Sequence, residues 1–374
     1  PYLSSFTVLD APKVTARNAV GVTFDYRLSR DDRISLSFQY SSFEVWFKNN
    51  TAVFNLTSVL PGNFTTTSAR GAGEIQLTRG ERHRTNRTYM PTLVWRHDGP
   101  VWKGVAGAGF SNARDENQGS RAGFFRNAVA RRTGVTISFE DIFYLRPRTI
   151  RVTDTATGAG LDPYDLGNYV LASGNDSQDT TFDTQRSAYA NLRRDFHGRL
   201  PFTLKGGVDL RHAMRELRGG NPPFTFGGRD GRTSTTPVGS DDSALPFLDP
   251  SMSQRIPPYG FPRTDGVSNV KVFEFYRANP GHFVIDENSA YRSTVSTSKH
   301  AEELVSSAYI RGDLSLLERR LKLVGGVRAE QTNVEAEGPL TDPGRNIRRD
   351  AQGNPILGAN GQPQAITTVP LEVS

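Results

Sequence analysis

The chain has 374 residues, room for one large domain or two ordinary ones. Its 45 basic and 39 acidic residues give a net charge of +6 spread without a basic block; with no stacking motif, zinc motif or basic helix, this argues against a nucleic-acid partner. It has no cysteine, hence no disulfide framework, and no apolar run near the roughly 18 residues that a membrane-spanning helix needs.

The first predicted element is a hairpin over residues 19–45. Val20, Val22, Phe24, Tyr26 and Leu28 share one face, and Gly21, Thr23, Asp25, Arg27 and Ser29 the other. Period-2 alternation is the mark of a strand with one apolar and one polar side. Ser29–Asp32 make the turn, and Ile34, Leu36, Phe38 and Tyr40 resume the apolar face. Asp31-Asp32 and, far downstream, Asp241-Asp242 are acidic pairs of the kind that bind calcium or serve hydrolysis. Neither falls in a defined calcium loop.

A long connection, 47–87, follows, with a short strand expected at 74–78. The second hairpin spans 88–116 and turns at His97-Asp98-Gly99-Pro100, flanked by Trp95 and Trp102. A second long connection, 117–181, includes an expected strand at 134–141. The third hairpin, 187–217, turns at Asp195–Gly198. Ala188, Ala190, Leu192, Leu204, Val208 and Leu210 oppose Arg193, Lys205, Asp209 and Arg211.

The third long connection, 218–298, carries the Gly-rich GGRDGRTS at 227–234. That stretch lacks the Lys and the strand-to-helix setting of a phosphate loop and reads as loop. Aromatics Tyr259, Phe261, Phe273, Phe275 and Tyr276 either stack on a ligand ring or pack the loop on itself. SKHAEELVSS (298–307) is the most helix-like stretch. It reads as at most one turn of helix, with its second half in the next strand.

The fourth hairpin is the most informative. Ala308, Ile310, Gly312, Leu314 and Leu316 oppose Tyr309, Arg311, Asp313 and Ser315. After Glu318-Arg319-Arg320, Leu321, Leu323, Gly325, Val327 and Ala329 continue the apolar face. A last connection, 337–374, closes the chain. Short turns on one side and long connections on the other, repeated four times, match an outer-membrane barrel better than a sandwich or propeller. On that reading Phe38, Tyr40, Trp95 and Trp102 are girdle residues. Arg27, Arg193, Lys205, Asp209, Arg211, Arg311, Asp313, Lys322 and Arg328 face inward. The expected fold is all-β: an antiparallel transmembrane β-barrel segment of about eight strands, with short periplasmic turns and long extracellular loops.

Residues 306–337 resemble the barrel of TonB-dependent outer-membrane receptors. Leu321, Leu323, Gly325, Gly326, Arg328 and Glu330 match a Leu-x-Leu-x-Gly-Gly-x-Arg-x-Glu strand of that family. FTLKGGVDLRHAMREL (202–217) is similar to its Lys-x-Gly-x-x-x-Arg strands, and residues 341–364 to its long external segments. The resemblance implies a barrel of about 22 strands holding a plug. It implies uptake of a scarce nutrient, with a siderophore, cobalamin and oligosaccharide all open. The implied partners are membrane lipid, the small nutrient and the inner-membrane TonB-type energy-coupling complex, reached through an N-terminal region. The start at Pro1, the close at LEVS and the missing coupling box, plug and aromatic last strand read as an internal piece of the barrel, 1–374, in the cell outer membrane. A passive porin-like channel and a secreted soluble β protein, carbohydrate-binding or hydrolytic, are the alternatives.

His83, His97, His197, His212, His282 and His300 form no close metal-ligand spacing, and no nucleophile elbow is present. The chain therefore reads as not an enzyme. No catalytic residue, metal ligand or cofactor is assigned, and single ligand-binding residues stay unassigned.

Overall fold

The computed structural model describes residues 2–198, 200–257, 260–318, 320–338, 347–358 and 361–364. Pro1, Arg199 of the expected third hairpin, Pro258 and Tyr259, Arg319 of the expected fourth turn, and residues 339–346, 359–360 and 365–374 of the last expected loop lie outside them.

The protein is all-β. Eight strands form a continuous antiparallel stem: β2 Lys13–Arg27, β3 Asp32–Ser58, β4 Ala69–Asp98, β5 Trp102–Gln118, β10 Gln178–Phe196, β11 Phe202–Gly220, β14 Lys299–Leu316 and β15 Leu321–Glu337. They pair in that order, each hairpin beside the next. All four expected hairpins are present, with turns where the alternation breaks. β2 pairs only with β3 and β15 only with β14, so these strands are the two edges of the stem.

The long connections hold more order than the sequence reading gave them. Among the described residues the sheet has fifteen strands. The added ones are β1 Ser5–Asp10, β6 Asn127–Phe143, β7 Arg146–Asp154, β8 Gly160–Leu161, β9 Val170–Asn175, β12 Pro223–Phe226 and β13 Phe283–Ile285. Most of 47–87 is the outer half of β3 and β4, which stay paired from Asp32/His97 to Ser58/Ala72. The expected strands at 74–78 and 134–141 are inside β4 and β6. The helix-like 298–307 is strand from Lys299 on, because pairing with β11 from Leu217 to Arg211 overrides local propensity.

These outer strands carry the core. Ala52, Phe54 and Leu56 of β3, Ile75 and Leu77 of β4, and Ala128, Ala130, Val135, Ile137 and Phe139 of β6 are buried in alternation, which changes phase once in β6 between Ala130 and Val135. The segment 244–283 covers them. It includes the short helices α1 Pro250–Ser253 and α2 Asn269–Ala278, and α3 Glu287–Thr297 follows it. Phe125 is the hub, with ring centroids 4.9 Å from Phe224 and 5.3 Å from Phe273. Asn269, the first residue of α2, donates to the carbonyls of Phe125 (2.7 Å) and Arg79 (3.1 Å), fastening the helix to the sheet. The molecule is thus a single-layer stem with a two-layered module at one end.

Candidate functional site

Register makes the stem two-faced. Cross-strand partners in an antiparallel sheet point the same way, so each row of partners belongs to one face. One row runs Tyr26, Ile34, Trp95, Ala106, Ala190, Val208, Ala308, Ala329 across all eight strands. The next row runs Arg27, Arg33, Arg96, Val105, Asn191, Gly207, Tyr309, Arg328. A shift of one residue changes an apolar row into a charged one. Every residue expected on the inner face lies on the charged side.

The apolar face is open. Val208 and Leu210 are 50% and 48% exposed, while the side chain of Asp209 between them is 26% exposed. Phe24 (67%), Leu36 (49%), Ile310 (50%) and Leu323 (51%) are likewise open. A water-soluble sheet buries such a face.

Aromatics bound the apolar band. At one end Tyr40 and Tyr89 pack 5.2 Å apart. At the turn end Trp95 donates to Asp32 at 3.2 Å, and Arg194 lies 5.0 Å above the ring of Trp102. Trp102 and Phe110 are eight positions apart on β5, roughly 26 Å at about 3.3 Å per residue. Phe38, Tyr40, Trp95 and Trp102 all lie on this face, as expected for girdle positions.

The charged face is a mesh of short pairs: Arg193–Asp195 (2.8 Å), Arg211–Asp209 (2.8 Å), Arg311–Asp313 (2.7 Å) and Lys322–Asp313 (3.5 Å). Tyrosines are laid across glycines. A Cβ at Gly107 would sit 2.7 Å from the Tyr189 ring, and one at Gly207 would sit 2.8 Å from that of Tyr309. Such aromatic cover over glycine pins strand register. A groove of about 560 Å³ opens along this face, lined by Thr92, Ser111, Gln185, Arg211 and Glu303. A larger one, about 880 Å³, lies beneath α3 between Arg218, Tyr291, Lys299 and His300. Sequence patterning pointed to the charged face, but not to a groove roofed by a helix.

The loop aromatics divide. Phe273 is buried, and Phe275 and Tyr276 pack against the core. Phe261 lies beneath Arg146, 4.9 Å from its guanidinium. They pack the module and are not free platforms for a ligand.

The histidines are scattered. His83 bonds Glu44 (2.6 Å) and stacks on Trp46, His97 bonds Asp32 (2.9 Å), and Glu302 contacts both His212 and His300 (3.3 Å each). His282 lies 5.4 Å from the Phe275 ring, and His197 follows β10 in the third turn. Among the described residues no three His, Cys, Asp or Glu side chains gather as a metal group.

In the module, Arg79 is fully buried and 3.7 Å from Asp249. Burial pushes its pKa below the ordinary value, and Asp249 pulls it back. Tyr169, buried beneath the same layer, donates to the carbonyl of Pro163 at 2.5 Å.

No family description matches the chain, and no curated protein matches it. Among solved structures it is similar, at 10% identity, to the closed form of Fiu, a ferric-catecholate import receptor from E. coli K12. That match covers 91% of this chain and 63% of Fiu, with a TM-score of 0.14. The chain thus spans less than two thirds of that receptor. At so low a score the likeness carries no argument. What the fold itself defines is an all-β protein built on one large antiparallel sheet.

Proposed function

We propose that the stem crosses a bacterial outer membrane as part of a TonB-dependent receptor barrel, and that the chain serves energy-coupled uptake of a scarce nutrient. The observation that carries this reading is the register: one predominantly apolar, open face across eight strands, backed by a charged face. Lipid is the solvent that suits the first face, and a polar lumen suits the second. The aromatic borders sit where a bilayer interface would lie. The resemblance of β14–β15 to receptor strands adds the family.

On this reading the four short turns are periplasmic and the packed module is extracellular, above the lumen. The edges β2 and β15 require further strands, since a lipid-exposed open edge leaves backbone groups unsatisfied. No catalytic step is involved. The module selects the ligand, and the charged face holds a plug and lines the path. Siderophore, cobalamin and oligosaccharide remain the ligand classes.

The test is growth on limiting iron chelate, cobalamin or oligosaccharide. Strains would lack this gene, the energy-coupling complex, or both. The proposal expects one nutrient on which both single deletions fail alike and the double deletion is no worse. A passive channel would show a defect independent of the coupling complex. A soluble protein would be recovered without detergent.

A further inference from the structure

The loop from Gly227 to Asp242 contains a buried carboxylate that the packing does not satisfy. Asp242 is 0% exposed. Its Oδ2 accepts the Ser234 N–H at 2.6 Å, but its Oδ1 has no hydrogen-bond partner. The neighbouring Asp241 accepts the Arg229 N–H at 2.6 Å. Each side chain thus accepts from one backbone N–H.

The two carboxylates converge. A Cβ built on Gly228 would lie 2.6 Å from Asp242 Oδ1 and 2.7 Å from Asp241 Oδ2. Both oxygens thus lie against the Cα of Gly228, where any larger residue would collide with them. Gly228 also has φ +61°, a conformation glycine adopts without strain. Asp242 is no incidental loop residue. Its carbonyl accepts from the Leu171 N–H of β9 at 2.8 Å, which puts the site on the edge of the packed core.

A buried carboxyl oxygen left without a partner is unfavourable unless a cation or a proton joins it. Adjacent Asp oxygens in a turn-rich, glycine-punctuated loop suit a hard oxygen-seeking cation. We propose that Asp241 and Asp242 bind a divalent cation of the calcium type, which ties the 227–243 loop to β9. Loop carbonyls and water would complete its shell. Sequence alone offered the acidic pair; the buried, unpartnered Oδ1 and its approach to Asp241 at Gly228 single it out.

Hydrogen–deuterium exchange on the full chain in detergent, with calcium as the probe, tests this directly. In millimolar Ca²⁺, the range of extracellular calcium modules, peptides over 227–243 should exchange roughly tenfold more slowly than in chelator, as expected at about ten times Kd. Equal Mg²⁺ should do much less. Asp242→Asn and Asp241→Asn should abolish the calcium effect while the 170–175 strand keeps its protection. Two results overturn the site. One is an unchanged wild-type loop at 10 mM Ca²⁺. The other is an Asp242→Asn loop as slow in chelator as wild type is in calcium, which would mean the buried carboxyl carries a proton.

Discussion

Tyr309 reaches from β14 across Gly207 of β11 and donates to Asn191 of β10 at 2.6 Å. One side chain thereby links three strands on the charged face. A Cβ at Gly207 would meet Asn191 Oδ1 at 2.4 Å and the Tyr309 ring at 2.8 Å.

Gly207→Val should therefore cost about 1–3 kcal/mol by overpacking. Tyr309→Phe should cost about 1 kcal/mol, the worth of one hydrogen bond. Urea midpoints of the refolded protein in detergent measure both. Equal, negligible effects would mean the tyrosine does not lie over the glycine.

Neighbouring positions on one strand should differ sharply in tolerance. Arg at Leu36 or Leu323 places a charge on the apolar face and should block assembly, at about 2–4 kcal/mol near a bilayer midplane. Arg at Ser37 or Val324 enters the charged face and should be mild. Outer-membrane yield of the four variants is the readout, and equal damage at both kinds of site contradicts the register.

The Arg79–Asp249 pair in the module should respond asymmetrically. Asp249→Ala leaves a buried guanidinium without its anion and should destabilise the module by about 3–5 kcal/mol. Arg79→Leu removes the buried charge itself and should cost far less. Thermal unfolding of both variants checks the order, and the reverse order would show that the pair does not behave as a buried ion pair.

Helix α3 should be acid-sensitive. Asp286 caps it, accepting from Ser289 Oγ (2.7 Å) and the Asn288 N–H (3.0 Å). The Ser289 bond is the first cause of its lowered pKa. A lowered folded-state pKa means stability present above the ordinary Asp value of about 3.9 and lost as pH falls below it. Exchange over 287–297 should rise below about pH 4 in wild type, and Asp286→Asn should flatten that rise.

The stem was legible because its signal is local. Alternation through Val20–Tyr40 or Leu321–Ala329 needs no knowledge of neighbours, and turns show themselves where it stops. The module was mostly illegible. Arg79, Gly80, Glu81, Arg82, His83 and Arg84 form an almost wholly polar run inside β4, which masks the strand that carries Ile75 and Leu77 into the core. Phe224 and Phe283 meet Phe125 only through long-range folding. Asp241-Asp242 was visible as a pair, but the burial of Asp242 depends on β9 and on Gly228, neither of which sequence spacing could place beside it.

The most direct test of the central claim uses the absence of cysteine from the chain. Single cysteines placed at each position from 34 to 40 and from 306 to 316, spin-labelled in reconstituted bilayers, report access to oxygen in lipid and to a nickel chelate in water. The account predicts strict alternation: lipid access at 34, 36, 38, 40, 306, 308, 310, 312, 314 and 316, and aqueous access at the residues between. Uniform aqueous access along both strands would contradict it and leave a water-soluble sheet in place of a membrane wall.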